Sequence, residues 1–517
     1  MLRIFIFAVC LLLSACMVGP DYKEPQKPVA EHWLAKSPAI KEAPVRNANW
    51  WKVFRDPTLT SIIHQGYSNS LTVQIAGVRV LQARAQLAQS VGELYPQQQA
   101  ITGNYNYQRI GGGFLQGLIP SSFETASLGA SASWELDFWG KYRRAIRSND
   151  ATFLASLAAY DNALVTLTSD VASTYISIRT TEEQIRVTKA NIQVQANSLQ
   201  IANSRFNAGE TSLLDVQQAK TELASTQAKL PPLIASLQSQ KDILAVLLGT
   251  VPTNIDGILK KSRGIPMAIQ RVAVGIPLET LAQRPDIYQA RLEAVAQSEA
   301  IGAVKANLYP ALSLVGTFAF AGNTIGSSSM SNMFNWSHRT ITAGPSLTWP
   351  ILNYGQITNS VRVQDAVFQE ALLNYINKVL KAQQEVQDYI TRYVEAIKAE
   401  RSLEQANSSA VKAVKLAIVR YKEGQASYTT VLDTERQQLQ VQTSLTDAKG
   451  EIGKALVGLY RALGGGWQIR GCNDVISPKT KADMADRTNW GNLLEKQNHQ
   501  KPVTPGQQIK QLYVPNW

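Results

Sequence analysis

The chain has 517 residues, 45% of them hydrophobic and only 17% charged, and a formal net charge of +12. The positive balance is spread out, with no Lys/Arg cluster beyond a pair or so, which argues against nucleic acid as a partner. Past the N-terminus no stretch approaches the roughly 18 consecutive apolar residues of a transmembrane helix, so any membrane crossing must use strands.

The first residues read as an export signal. Arg3 is the positive start, Ile4 to Leu13 the apolar core, and Leu13-Ser14-Ala15-Cys16 the end. That ending resembles a bacterial lipobox, which implies a signal peptide over 1–15 and a covalent lipid on Cys16. Met17 follows where an Asp retains such lipoproteins in the inner membrane, so the outer membrane is favoured. Cys10 leaves with the signal, and Cys472 alone keeps a free thiol, so no disulfide framework exists.

Residues 16–56 are Pro-rich (Pro20, Pro25, Pro28, Pro38, Pro44) and end in Trp50-Trp51, the pattern of an extended tether from lipid to body. A first unit, 57–276, opens with a helix from Pro57 to about Leu94, ended by Tyr95-Pro96. Strands fall at about 97–138. Ile101, Gly103, Tyr105 and Tyr107 alternate with Thr102, Asn104, Asn106 and Gln108; beyond a loop holding Gly111-Gly112-Gly113, Leu128, Ala130, Ala132 and Trp134 alternate with serines and Gly129. Then 141–208 runs without Gly or Pro, bounded by Gly140 and Gly209. Leu157, Leu164, Val171, Ile178, Ile185, Ile192, Leu199 and Phe206 recur in it every seven residues, the signature of supercoiled helices. A return helix covers 212–248, broken or kinked by Pro231-Pro232, and 249–276 is a Gly/Pro-punctuated link.

The second unit, 277–467, repeats this plan. A helix spans about 278–308, Tyr309-Pro310 ends it, and strands follow at about 310–352. The run 356–423, bounded by Gly355 and Gly424, matches the first at an offset of 215, as Trp349 matches Trp134. Leu372, Ile376, Val379, Val386, Ile390, Tyr393 and Ile397 keep its seam, residues 400–407 interrupt it, and Val411, Val414, Ile418 and Tyr421 resume it. A return helix covers 427–463, and 468–517 reads as an irregular polar tail.

Strands of about 10–13 residues, tilted by roughly 35–45°, cover a hydrocarbon core of about 25–30 Å. Four per chain cannot close a barrel, since the smallest membrane barrels have about eight, and open edges in lipid leave backbone groups unpaired. Two copies would fill their own interior; three would leave a lumen. Rods leaving the sheet in one direction continue that lumen as a tube. The expected fold is therefore mixed α and β, a shared transmembrane β-barrel carrying a long coiled-coil barrel, preferably trimeric.

Five motifs resemble the outer membrane efflux proteins, the TolC family, in its OprM/NodT-like lipoprotein branch. They are Gly19-Pro20-Asp21-Tyr22, Arg284-Pro285-Asp286-Ile287, Gly344-Pro345-Ser346-Leu347, Val431-Leu432-Asp433 and Ala462-Leu463-Gly464-Gly465-Gly466-Trp467. The resemblance covers nearly all of the mature chain. It implies a homotrimer with a twelve-stranded outer membrane barrel and a twelve-helix periplasmic tunnel, docked to a periplasmic adaptor and an inner membrane transporter. It implies adaptor-docking tips at Arg205, Gly209 and Ser212 and at Arg420, Gly424 and Ser427, with arginine and serine donors exposed to the partner. It implies a periplasmic gate in which Asp433 forms an acidic ring, Tyr421 is the gate tyrosine and Asp215 accepts its hydrogen bond. Relatives with a second Asp at Thr430 and an Arg at Ala426 carry a fuller charged latch than this chain.

Nothing points to catalysis or a cofactor. His32, His64, His338 and His499 lack metal-ligand spacing, and no G-x-S-x-G, P-loop or dinucleotide fingerprint occurs. The functional expectation is a gated duct exporting small molecules such as drugs. The alternatives are a secretion duct for polypeptide or oligosaccharide, and a lipid-anchored coiled-coil structural protein with no pore.

Overall fold

The structure, a computed structural model, describes residues 17–495 except 27, 35–37, 39, 43–47, 112–119, 260–263, 268–271, 276, 278–280, 282, 326–329 and 472. Cys16 and its signal, Gly112-Gly113, Cys472 and His499 lie outside the described residues. In chain order the elements begin with β1 (Ile40–Glu42), α1 (Pro57–Asn69), α2 (Leu71–Gly92), β2 (Gln98–Arg109) and β3 (Ser122–Glu135). Next come α3 (Lys141–Asn207), α4 (Leu213–Ala228), α5 (Leu230–Leu247), α6 (Ile255–Leu259) and β4 (Val272–Val274). The rest are α7 (Pro285–Lys305), β5 (Ala311–Asn323), β6 (Arg339–Thr348), α8 (Gln356–Lys422), α9 (Tyr428–Ala462) and α10 (Pro478–Ala485).

Both Gly/Pro-free runs are single helices of 67 residues, roughly 100 Å long at 1.5 Å per residue. Glycines frame them because the chain turns with positive φ there: Gly140 (77°) and Gly355 (82°) before them, Gly209 (76°) and Gly424 (70°) after them. Apart from the two-stranded sheet of β1 and β4, four of the strands form an antiparallel sheet in the order β2-β3-β5-β6. Its register, Ile101↔Ala130, Ala130↔Phe318 and Phe318↔Ile341, collects the apolar set on one face. That face is bare in the single chain, with Ile101 83%, Ile341 60% and Leu347 68% exposed, and among the described residues no strand covers the outer edge of β2 or β6. Trp134 and Trp349 play matched parts at the sheet's base, donating Nε1–H to the carbonyls of Leu94 (3.0 Å) and Leu308 (3.1 Å), each just before a Tyr-Pro stop.

The main core lies where the upper parts of α3 and α8 meet α1, α2, α7 and α9. Leu164, Val171, Tyr175 and Ile178 are fully buried there, as is Trp51. Two sequence motifs meet in this body. Arg284 pairs with Asp286 (2.9 Å) and Glu385 (2.8 Å) and donates to the Ala462 carbonyl (2.6 Å), while Gly464 packs on its side chain. Gly19 lies against the Gly302 backbone, and Arg144, 2% exposed, holds Asp21 (3.0 Å) and Glu299 (2.7 Å).

Several expectations are corrected. The segment after residue 16 is docked, not a loose tether. Val18 N–H bonds the Trp139 carbonyl (3.0 Å), Trp33 is buried, β1 pairs in parallel with β4, and Trp50, Trp51 and Phe54 enter the core. The apolar area of the tryptophans drives this, outweighing the chain entropy lost. The helix expected over 57–94 breaks at Ser70, whose ψ of 122° is not helical. The helix expected over about 278–308 is interrupted at Gln283-Arg284, and α7 starts afresh at Pro285, since proline lacks the N–H an interior turn needs and suits the first helical position; residues 278–280 and 282 lie outside the described residues. The break expected at Pro231-Pro232 in the first return helix needs no correction: it falls at Lys229, and the two prolines sit in the opening turn of α5. The 249–276 link holds α6 and β4. The described part of the tail is not irregular: α10 is capped by Ser477, and Met484 packs with Leu81.

The heptad line of α3 is buried only in its upper half. Leu157, Leu164, Val171 and Ile178 are buried, Ile185, Ile192 and Leu199 are half-buried, and Phe206 is 38% exposed. A straight helix drifts by about 20° per heptad, so a strict seven-residue line rotates away from the internal seam. Val187, Asn191, Gln195, Ser198 and Ala202 replace it.

Candidate gate at the tips of the helical hairpins

Each long helix turns back at its glycine, so α3 with α4 makes one hairpin and α8 with α9 a second, packed side by side. A small core joins them: Ala202, Val216, Ala219, Ala417, Tyr421, Tyr428, Val431 and Leu432. Tyr421, 3% exposed, is at its centre, with its ring 5.3 Å from that of Tyr428 and inclined by 67°.

The first hairpin holds both ends of Tyr421. Its hydroxyl donates to Asp215 Oδ2 at 3.1 Å, and the same oxygen accepts from Thr211 Oγ1. Asp215 lies in the first turn of α4, where the helix dipole favours a carboxylate. The Arg205 guanidinium lies 4.7 Å from the Tyr421 ring centroid and donates through Nη1 to the Tyr421 carbonyl. Burial, with Asp215 beside it, raises the Tyr421 hydroxyl pKa against the opposing effects of Thr211 and Arg205, so this hydroxyl stays a donor.

The other residues singled out in the sequence divide clearly. Gly209 and Gly424 are the positive-φ reversals. Ser212 and Ser427 are exposed and precede α4 and α9 without a side-chain capping bond. Arg420 is exposed, and its guanidinium has no hydrogen bond or ion pair among the described residues. Arg205 departs from the expectation of an exposed donor. Its side chain is only 15% exposed and pairs with Glu210 (3.2 Å) besides holding Tyr421, because Tyr421 and the end of α8 lie within its reach. Asp433 is exposed and stands apart from the Tyr421–Asp215 contact, although Val431 and Leu432 beside it are buried.

Sequence reasoning missed a polar layer above this core. Glu435, 2% exposed, accepts from Ser198 Oγ at 2.5 Å. Burial pushes its pKa up to about 6, with the Ser198 bond opposing and Glu222 adding to the rise. Glu222 pairs with Arg436 (2.7 Å), Asn191 donates to Gln442 (2.7 Å), and buried Gln195 has neither amide atom bonded among the described residues. The available signal was spacing: Glu435, Gln438 and Gln442 continue the inward stripe of Val431 and Leu432. No group of three potential metal ligands occurs among the described residues.

A four-stranded sheet with bare edges, carried on two long hairpins that pack together at their tips, is the fold of an outer membrane channel protomer. A family model described as outer membrane efflux protein matches residues 62–250 and 276–465, and the chain belongs to this family. It is 30% identical to "Nodulation protein T" of Rhizobium leguminosarum bv. viciae over 92% of this chain and 95% of that one. It is 29% identical to "Probable efflux pump outer membrane protein TtgC" of Pseudomonas putida, over 88% and 94% of the two chains. The solved outer-membrane channel OprN superposes with a TM-score of 0.80 and 28% identity, covering 88% of this chain and 100% of that one.

Proposed function

We propose that three copies of this chain form a gated export duct in the outer membrane, the exit component of a tripartite efflux system. The observation that carries this is the four-stranded sheet with two unpaired edges and an exposed apolar face, from which both long hairpins depart. Unpaired edges in lipid cost several kcal/mol per backbone group, so neighbouring sheets must supply the missing partners. Three sheets give a twelve-stranded barrel with a lumen, and the hairpins of three chains continue it as a periplasmic tunnel.

In this reading Cys16 carries a lipid that anchors the chain, and the line of half-buried Ile185, Ile192 and Leu199 and exposed Phe206 meets the next protomer. The Tyr421–Asp215 bond and a ring of three Asp433 side chains close the periplasmic end. The exposed tip residues Gly209, Ser212, Arg420, Gly424 and Ser427 receive a periplasmic adaptor, which links the duct to an inner membrane transporter. The cargo is small molecules such as drugs; the 29% identity to "Antibiotic efflux pump outer membrane protein ArpC" of Pseudomonas putida, over 88% of this chain, supports that class. The duct supplies a path and needs neither catalytic group nor cofactor.

Single-channel recording in planar bilayers tests this. The purified protein should give small, cation-preferring steps that enlarge with Asp433→Ala. Identical steps from wild type and variant would remove Asp433 from the gate, and a complete absence of current from every variant would overturn the duct.

A further inference from the structure

The two tip arginines occupy equivalent places in the sequence, four residues before Gly209 and Gly424, yet their surroundings differ. Arg420 is exposed and unengaged among the described residues. Arg205 crosses from the first hairpin to the second, lies on the ring of Tyr421 and donates to its carbonyl. That carbonyl is among the last of α8, at the negative end of the helix dipole where a cation is favoured; it accepts the Gly424 N–H of the turn (3.1 Å) and offers its second lone pair to Arg205. The Arg205 guanidinium passes close beside the Gly424 turn, where an added Cβ would stand at an ordinary 3.5 Å from Nη2, so the positive φ and not the missing side chain is what requires glycine there. Ala426 offers the second tip no donor of its own.

We propose that Arg205 is the clasp of the closed tip rather than a docking donor: it fixes the Tyr421 backbone and ring while Asp215 fixes the hydroxyl. Both tethers come from the first hairpin, so displacing Arg205 frees the end of α8 to swing on the Asp215 bond alone. The chemistry able to do this is an acceptor-rich partner surface, carboxylates or helix C-terminal carbonyls, that competes for a forked guanidinium. This inference deepens the duct reading and rests on it.

The test compares full-length Arg205→Met, Arg205→Lys and Asp433→Ala in planar bilayers, with the exposed Arg186→Met as a surface control. Limited proteolysis checks that the tips stay folded. Arg205→Met should lower the closed-to-open ratio on the order of tenfold, as loss of a hydrogen bond from a charged donor does. Arg205→Lys should fall between it and wild type, because ammonium keeps the charge and loses the fork and stack. Wild-type conductance in Arg205→Met while Asp433→Ala enlarges the steps would overturn the clasp and spare the duct. Conductance gained only with proteolytic cutting of the tips would also overturn it, assigning Arg205 a folding role. Silence from all variants would overturn the duct reading together with the clasp.

Discussion

The upper and lower halves of α3 are one unbroken helix packed in two different ways. Above, Leu164, Val171 and Ile178 are sealed among aromatic and aliphatic neighbours; below, Asn191, Gln195 and Ser198 are the buried positions and face Gln442 and Glu435. Apolar area removed from water is hard to give up, whereas a polar seam can exchange its hydrogen bonds for bonds to water at small net cost. The contrast assigns rigidity to the body and openability to the hairpins, as expected where local stability varies along a structure.

The largest effect belongs to the body. Trp51→Ala removes a fully buried indole at the centre of the core and should destabilise by about 3–5 kcal/mol in denaturant unfolding. A comparable loss from Ala202→Gly in the lower hairpin would erase the contrast. The buried Glu435 gives the next effect. Its pKa rises from 4.5 to about 6, so the folded hairpin binds this proton more tightly than the unfolded chain. The added stability is complete below the ordinary carboxylate value and is lost as pH climbs through about 6. Glu435→Gln keeps an acceptor for Ser198 and should stabilise the hairpin at neutral pH by about 2 kcal/mol while flattening its pH dependence. Hydrogen exchange along α9 at pH 5 and pH 7.5 reads both effects; an unchanged pH profile in the variant would assign the titration elsewhere. The smallest change is Tyr421→Phe, which removes the bond to Asp215 and costs about 1 kcal/mol, too little to unfold the tip. Its readout is channel opening, with Asp215→Asn as the partner variant.

What could be read in the sequence follows the same division. The rods and strands were legible because glycine, proline and side-chain alternation report backbone geometry directly: Gly140, Gly209, Gly355 and Gly424 delimit both long helices. The pairing of Tyr421 with Asp215 came from the resemblance of the tips to a known family, and the geometry brings the two together. The polar layer stayed hidden because the burial of Glu435 and Asn191 depends on partners some 240 residues away, which periodicity does not register. The docked N-terminal segment was missed for a similar reason. Its prolines describe a local extended chain, while its position is fixed by distant groups such as Arg144, Gly275 and Gln383. Arg205 was misread because an arginine near a helix end reads as solvated unless the neighbouring helix is known.

The mass of the detergent-purified chain tests the central claim most directly. Light scattering corrected for bound detergent should give three copies per particle, with the sheet edges mutually protected from hydrogen exchange. A monodisperse single chain that stays soluble without detergent would contradict the account, because its bare apolar face and open strand edges would then need no neighbours.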